Sequence, residues 1–113
     1  MPESVFNEKP EALRKLLKAW YKALNYLKAN PDEAVAIMAR YYDLSPEEFK
    51  EIALGVEWPL IDESFEFLGK DVKNSQAGKL VGSFSDIFIE AGKTNKAVKA
   101  EEVLDSEILS SLR

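Results

Sequence analysis

The sequence PEALRKLLKAWYKALNYLKANPDEAVAIMARYYDLSPEE, which spans residues 10–48, contains three successive helix starts and decides the fold class. Each start is marked by a proline, which suits the first turn of a helix because no backbone N–H is needed there. Asn30 precedes the second proline and Ser45 the third, and a Glu follows each of them three residues later, the spacing of a capping box. We expect both residues to cap helices, so that replacing either by Ala costs about 0.5–2 kcal/mol. The first helix carries an apolar stripe at helical spacing: Leu13, Leu16, Leu17, Trp20, Tyr21, Leu24 and Leu27.

Further helices are predicted in the second half of the chain. Pro59 disfavours helical backbone at the preceding residue, so the segment 57–60 is expected to interrupt the succession of helices. A short helix is predicted over 62–68, with a short strand as the alternative because Phe65 and Phe67 alternate. A second long stripe follows, again at helical spacing: Ala77, Leu80, Val81, Phe84, Ile87, Phe88 and Ala91.

These patterns predict an all-α fold of five or six helices, forming a single helical domain over residues 1–113. The long helices are expected near 10–28 and 74–91, and a last short helix is expected to begin at Asp105 or Ser106.

Glycines mark several of the predicted boundaries. Gly55, Gly69 and Gly92 each follow a predicted helix and are expected to end it, Gly55 in the left-handed conformation. Gly78 and Gly82 lie inside the second long helix, where each costs about 1 kcal/mol relative to Ala. Close packing against that helix is the expected reason for their presence.

The composition is that of an acidic, helix-rich protein and excludes several kinds of chemistry. The net charge is −5 and the apolar fraction 46%, and Ala, Glu, Lys, Leu and Arg make up about half of the chain, as in helix-rich proteins. Cys and His are absent, which excludes disulfides, thiolate and imidazole metal ligands and the His-based catalytic triads. An acidic chain is a poor candidate for binding nucleic acid. We expect no enzymatic activity, no cofactor, no metal site and no nucleic-acid partner.

Trp58 is the one candidate ligand-binding residue. It lies at the break before Pro59, where a connection between helices can present a side chain to a cleft. Stacking on a ligand is one interpretation of this tryptophan, and packing at the junction of two helices is the other. Trp20 and Tyr21 belong to the first stripe and are expected in the core.

The order of the motifs resembles a known family. The matching segments are KPEALRKLLKAW (9–20), LKANPDEA (27–34), AIMA (36–39), LSPEE (44–48), FIEAGK (88–93) and VLDSEIL (103–109). In this order they are similar to the C-terminal portion of the periplasmic solute-binding proteins of ABC importers. The most similar group is the nitrate, taurine and aliphatic-sulfonate binding type, which is related in fold to the thiamine-pyrimidine synthase family.

The resemblance implies that the chain is the helical C-terminal fragment of a two-lobe α/β protein and lacks that protein's sheets. The parent would capture a small anion or a sulfonate-like or organic solute for import and deliver it to the membrane permease of an ABC transporter. It would be periplasmic or extracellular. We expect no signal peptide in this chain, because Met1 is followed by Pro-Glu-Ser rather than by a basic and then an apolar segment. No binding residue of the family can be matched to a residue of this sequence.

A different class of function is the alternative: a free-standing small helical domain for protein interaction or oligomerisation. The fragment interpretation predicts self-association of the isolated chain, whereas a clean monomer would favour the free-standing domain. The first helix is apolar beyond one stripe, because Ala12, Ala19, Ala23 and Tyr26 widen it, and such a helix needs cover on more than one side. Without a second lobe, a homo-oligomer, most simply a two-fold dimer, is expected to supply that cover.

Overall fold

The computed structural model describes residues 3–113, and it confirms the all-α fold class. Helices make up 71% of the described residues, and that part of the chain contains no strand. The helices are α1 (Glu3–Glu8), α2 (Pro10–Ala29), α3 (Pro31–Tyr41), α4 (Pro46–Leu54), α5 (Ile61–Leu68), α6 (Gln76–Glu90), α7 (Ala100–Val103) and α8 (Glu107–Leu112). None of them, within residues 3–113, is both long and apolar enough to cross a membrane.

The described residues form eight helices rather than the five or six expected. The six predicted segments are all helical, and the two long helices lie where the stripes placed them. The additional helices are α1, which has six residues and no buried side chain, and α7, which is a single turn. Neither element is long enough to show a helical repeat of apolar residues, so periodicity cannot reveal them.

The described chain divides into two compact units, and it passes from one to the other inside α2 and again just before α5. Unit 1 comprises the residues up to Arg14 together with Ile61–Arg113, and unit 2 comprises Lys15–Leu60. The expectation of a single helical domain stays a prediction.

Unit 2 is built around the pair of helices α3 and α4. Val35 and Ala39 on α3 pack with Phe49 on α4, and all three side chains are buried. The ring of Tyr42 stacks on that of Phe49 at 5.4 Å between centroids. On the surface, the Lys50 ammonium lies 2.9 Å from the Asp32 carboxylate, a contact that contributes little because both side chains are exposed.

The two predicted helix caps of unit 2 differ in outcome. At the start of α4 the capping box is complete: the Ser45 hydroxyl accepts the Glu48 N–H at 3.3 Å, and the Ser45 N–H donates to the Glu48 carboxylate at 2.9 Å. The cap expected from Asn30 is wrong, because its side chain accepts no hydrogen bond from α3. Instead its amide donates to the Tyr26 carbonyl at 3.4 Å. Asn30 alone joins α2 to α3, and with ψ of 63° it lacks the extended backbone of a good N-cap.

Unit 1 has a core made mainly of small side chains. Its buried residues are Leu13, Ser75, Ala77, Gly78, Ser85, Ala100, Ser106 and Leu109. The three buried serines each make a hydrogen bond to the backbone; for example, the Ser85 hydroxyl accepts the Val98 N–H at 2.9 Å. Arg113 lies beside α5, where it pairs with Asp62 at 3.0 Å and covers the Phe65 ring at 4.5 Å from its centroid.

The three glycines all follow a helix as predicted, and two of them are left-handed. Gly69 and Gly92 have φ of 70° and 66°, the left-handed conformation that ends a helix. Gly55 follows α4 but has φ of −81°, so the left-handed stop expected there is wrong. Its N–H bonds the Ile52 carbonyl in a tight last turn that does not need a positive φ.

The two glycines inside α6 occupy very different surroundings. A Cβ built at Gly78 would overlap the backbone carbonyl oxygens of Val72 and Lys73. A Cβ at Gly82 would meet nothing within 4 Å. The close approach expected at both positions therefore exists only at Gly78, and its partner is the loop before α6 rather than another helix.

Candidate functional site

The bulky apolar stripe of α6 faces solvent. Phe84 and Ile87 are each 57% exposed, Phe88 is 52% exposed and Leu80 is 45% exposed. These four residues, which we call the α6 stripe, lie within about 100° of one another on the helix circumference. An isolated exposed leucine needs no explanation, but four large apolar side chains in one patch indicate an interaction surface.

The face that α6 buries is instead composed of small residues. Ala77, Gly78 and Ser85 are its buried members, and α6 contacts α5 and α7. Gly78 and Ser85 lie about 120° from the centre of the stripe on the circumference, whereas Ala77 lies within the arc of the stripe, near the N-terminus of the helix. Because Gly78 lies against the carbonyl oxygens of Val72 and Lys73, α6 is held in this orientation by a contact that only a glycine permits.

The charged residues of α6 lie on one flank of the stripe. Lys79 lies in the N-terminal half of the helix, and Asp86 and Glu90 lie in its C-terminal half. At about 100° per residue the three fall within about 40° of one another, and all are exposed. The flank is therefore positive at one end and negative at the other.

The first stripe, on α2, is only partly buried. Leu13 and Leu24 are buried, but Trp20 is 52% exposed, so the expectation that Trp20 lies in the core is wrong. Tyr21 is half-buried. A stripe pattern predicts which residues share a face, but not which part of that face the neighbouring elements cover.

Trp58 lies in the segment between α4 and α5 and is half-buried. This position agrees with the predicted break before Pro59. Its role as a ligand-binding residue stays a prediction, as does the alternative that it packs a helix junction.

Unit 1 also contains an open cavity of about 460 Å³ near the start of α8. Three carboxylate residues, Glu101, Asp105 and Glu107, line it together with Lys70. With three acidic groups against one basic group, this cavity would repel a small anion rather than hold it. Among residues 3–113, no cluster of three or more Asp and Glu side chains is arranged to hold a metal ion.

Two titratable groups in unit 2 have perturbed pKa values, each through a local hydrogen bond. The backbone N–H and hydroxyl of Ser45 lower the pKa of Glu48 below its ordinary value. A hydrogen bond to the Glu33 carboxylate raises the pKa of the Tyr26 hydroxyl, with smaller contributions from desolvation and from the Glu33 charge. Helix capping explains the pKa shift of Glu48, and a pairing of surface side chains explains that of Tyr26. Neither shift therefore indicates a catalytic site.

Comparison of the chain with models of protein families, with curated proteins and with solved structures gives no significant match. The relation to solute-binding proteins, expected from the order of the motifs, stays a prediction.

Proposed function

We propose that this chain is a helical protein-interaction module whose α6 stripe binds an apolar surface of another polypeptide. The observation that carries the proposal is the orientation of α6, which buries small residues and exposes large ones. Ordinary amphipathic helices do the reverse. An apolar patch flanked by charged residues is typical of protein interaction sites.

The size of the patch supports this proposal. About half of each stripe side chain is accessible, which gives about 100 Å² per residue and about 400 Å² for the four. The largest apolar patch of a typical monomer is about 300–600 Å² and is often functional. Burying it would release roughly 10 kcal/mol before the costs of association are subtracted.

Photo-crosslinking in the cells that produce the protein tests the proposal. A photoreactive phenylalanine analogue placed at Phe84 is expected to form a covalent adduct with a polypeptide that contacts the stripe. The matched control places the analogue at Ile52, which is equally exposed, at 57%, but lies on α4. The adduct at position 84 should disappear when Ile87→Glu adds a charge to the stripe. If position 84 gives no adduct, or no more than position 52, the proposal is wrong.

A second candidate is the transport function implied by the motif order. Under this proposal the chain is the C-terminal part of a periplasmic solute-binding protein, and the α6 stripe packs against the lobes of the parent. The gene upstream of the Met1 codon tests it, because it should encode a signal peptide and the α/β lobes. Titration calorimetry of the isolated chain with nitrate or taurine should show no binding, since the resemblance implies that most ligand contacts of the family lie in the lobes of the parent. Tight binding of either solute by this chain would contradict the fragment interpretation.

A further inference from the structure

We infer that the polypeptide covering the α6 stripe is a second copy of this chain, bound by antiparallel pairing of α6 with its counterpart. The inference rests on the proposed interaction function and specifies the partner and the geometry. It follows from three features of α6: the spacing of its apolar residues, the distribution of its charges and the area of its exposed surface.

The spacing suits a pair of helices. Leu80, Phe84, Ile87 and Ala91 follow one another at intervals of four, three and four residues. This alternation is the seam of a two-helix coiled coil, in which the apolar residues of one helix insert between those of the other. Leu80, Phe84 and Ile87 belong to α6 and Ala91 caps its C-terminus, so the seam runs along most of the helix.

The charges favour the antiparallel arrangement. In an antiparallel pair related by a two-fold axis, each flank of a helix faces the same flank of its partner in reversed direction. A two-fold axis near Phe84 therefore places Lys79 of one copy opposite Asp86 and Glu90 of the other, twice per dimer. A parallel pair would place the charged flank opposite the other flank of the stripe, where Val81 lies, and would lose this complementarity.

The area is sufficient for a specific but modest dimer. The four stripe residues contribute about 400 Å² per copy, and therefore about 800 Å² per pair. The charged side chains at the rim raise the total to about the 1,000 Å² that a specific interface needs. An interface of this size fits an equilibrium dimer with a dissociation constant in the micromolar range.

Analytical ultracentrifugation of the full chain, from about 1 μM to about 200 μM, measures the dissociation constant of the dimer. Phe84→Glu is expected to raise that constant at least about 30-fold, the effect of removing a central contact. The matched pair Ile87→Glu and Ile52→Glu distinguishes an effect specific to the α6 stripe from the effect of placing a charge at any exposed apolar residue. Both isoleucines lie on helices and are 57% exposed. Only Ile87→Glu should weaken the dimer.

Charge reversal tests the orientation. Lys79→Glu should weaken the dimer by roughly 3- to 10-fold, and adding Glu90→Lys to it should restore most of the affinity. In a parallel dimer neither change would have that effect. Far-UV circular dichroism tests whether each variant remains helical. If a stripe variant loses helicity, the Lys79 and Glu90 variants, which alter only exposed charges, decide the question.

The outcomes distinguish this inference from the proposed function. If the wild-type chain remains monomeric at about 200 μM, the inference that a second copy is the partner is wrong. It is also wrong if Ile52→Glu weakens the dimer as much as Ile87→Glu does. In either case an adduct at position 84 with a different protein would still support the interaction function. Without any adduct at position 84, the proposed function is overturned as well.

Discussion

Two glycines in one helix predict opposite effects of the same substitution. Gly78 and Gly82 both lie inside α6, four residues apart, and Ala has the higher helix propensity at either position by about 1 kcal/mol. At Gly82 the added methyl group meets nothing within 4 Å. We therefore expect Gly82→Ala to stabilise the protein by about 0.5–1 kcal/mol.

At Gly78 the same methyl group collides with backbone. Its nearest atoms are the carbonyl oxygens of Val72 and Lys73, which cannot move by a change of rotamer. Overpacking costs about 1–3 kcal/mol. Moving the helix away from the loop also weakens the cap at its start, where the Gly78 N–H donates to the Ser75 hydroxyl at 2.9 Å, a bond whose loss costs about 0.5–2 kcal/mol. After subtraction of the propensity gain, Gly78→Ala should destabilise the protein by about 0.5–4 kcal/mol.

Urea denaturation followed by far-UV circular dichroism measures both variants at one fixed protein concentration. The two free energies of unfolding are expected to differ by about 1–5 kcal/mol, with the wild type between them. If Gly78→Ala is as stable as Gly82→Ala, the contact between α6 and the loop before it does not exist. In that case the helix is free to rotate, and the argument that α6 must expose its stripe fails with it.

Three further predictions concern the caps and surface groups of unit 2. Ser45→Ala should lower the free energy of unfolding by about 0.5–2 kcal/mol in urea denaturation, whereas Asn30→Ala should leave it nearly unchanged because Asn30 makes no cap bond. The lowered pKa of Glu48 stabilises the fold above the ordinary carboxyl value of 4.5, and this contribution is lost as the pH falls through the lowered pKa. Acid titration of helicity should therefore show a smaller drop in Ser45→Ala than in the wild type. The raised pKa of Tyr26 should return toward its ordinary value of 10.0 in Glu33→Gln, as measured by ultraviolet absorbance at alkaline pH. The contribution of the Tyr26 hydroxyl to the free energy of unfolding is present below pH 10.0 and is lost as the pH rises through the raised pKa.

Local sequence chemistry predicts the helices of this chain well. Proline and glycine act on the backbone of their own residue and its neighbours, so Pro31, Pro46, Gly69 and Gly92 mark boundaries without reference to the rest of the fold. Local sequence chemistry does not predict the left-handed residue after α3. It is Asp43, with φ of 53°, and Asp adopts that conformation too seldom to be predicted from its identity.

The candidate site was far less predictable, because it depends on which side of a helix the neighbours cover. The apolar pattern of α6 groups Leu80, Phe84 and Ile87 on one face but does not state whether that face is inside. The signal that decides the orientation is Gly78, which only a close backbone contact explains. The sequence does not distinguish Gly78 from Gly82, where an added Cβ meets nothing, so only the structure shows which glycine marks the closely packed face.

The exposed stripe has a thermodynamic consequence that reaches beyond the interface. About 400 Å² of apolar surface corresponds to about 10 kcal/mol of burial free energy, which is as large as the total stability of a typical small domain. Among the described residues of unit 1, only Leu13 and Leu109 are large buried side chains, so the core of this unit is a weak source of stability. If the stripe is covered by a second copy, association and folding are coupled, and the melting temperature must rise with protein concentration.

We expect this rise in the wild type and in Ile52→Glu but not in Phe84→Glu, measured by circular dichroism at concentrations from about 2 μM to about 200 μM. A wild-type melting temperature that stays constant over that range would mean that unit 1 is stable without a partner, and the coupling between its small core and its exposed stripe would be refuted.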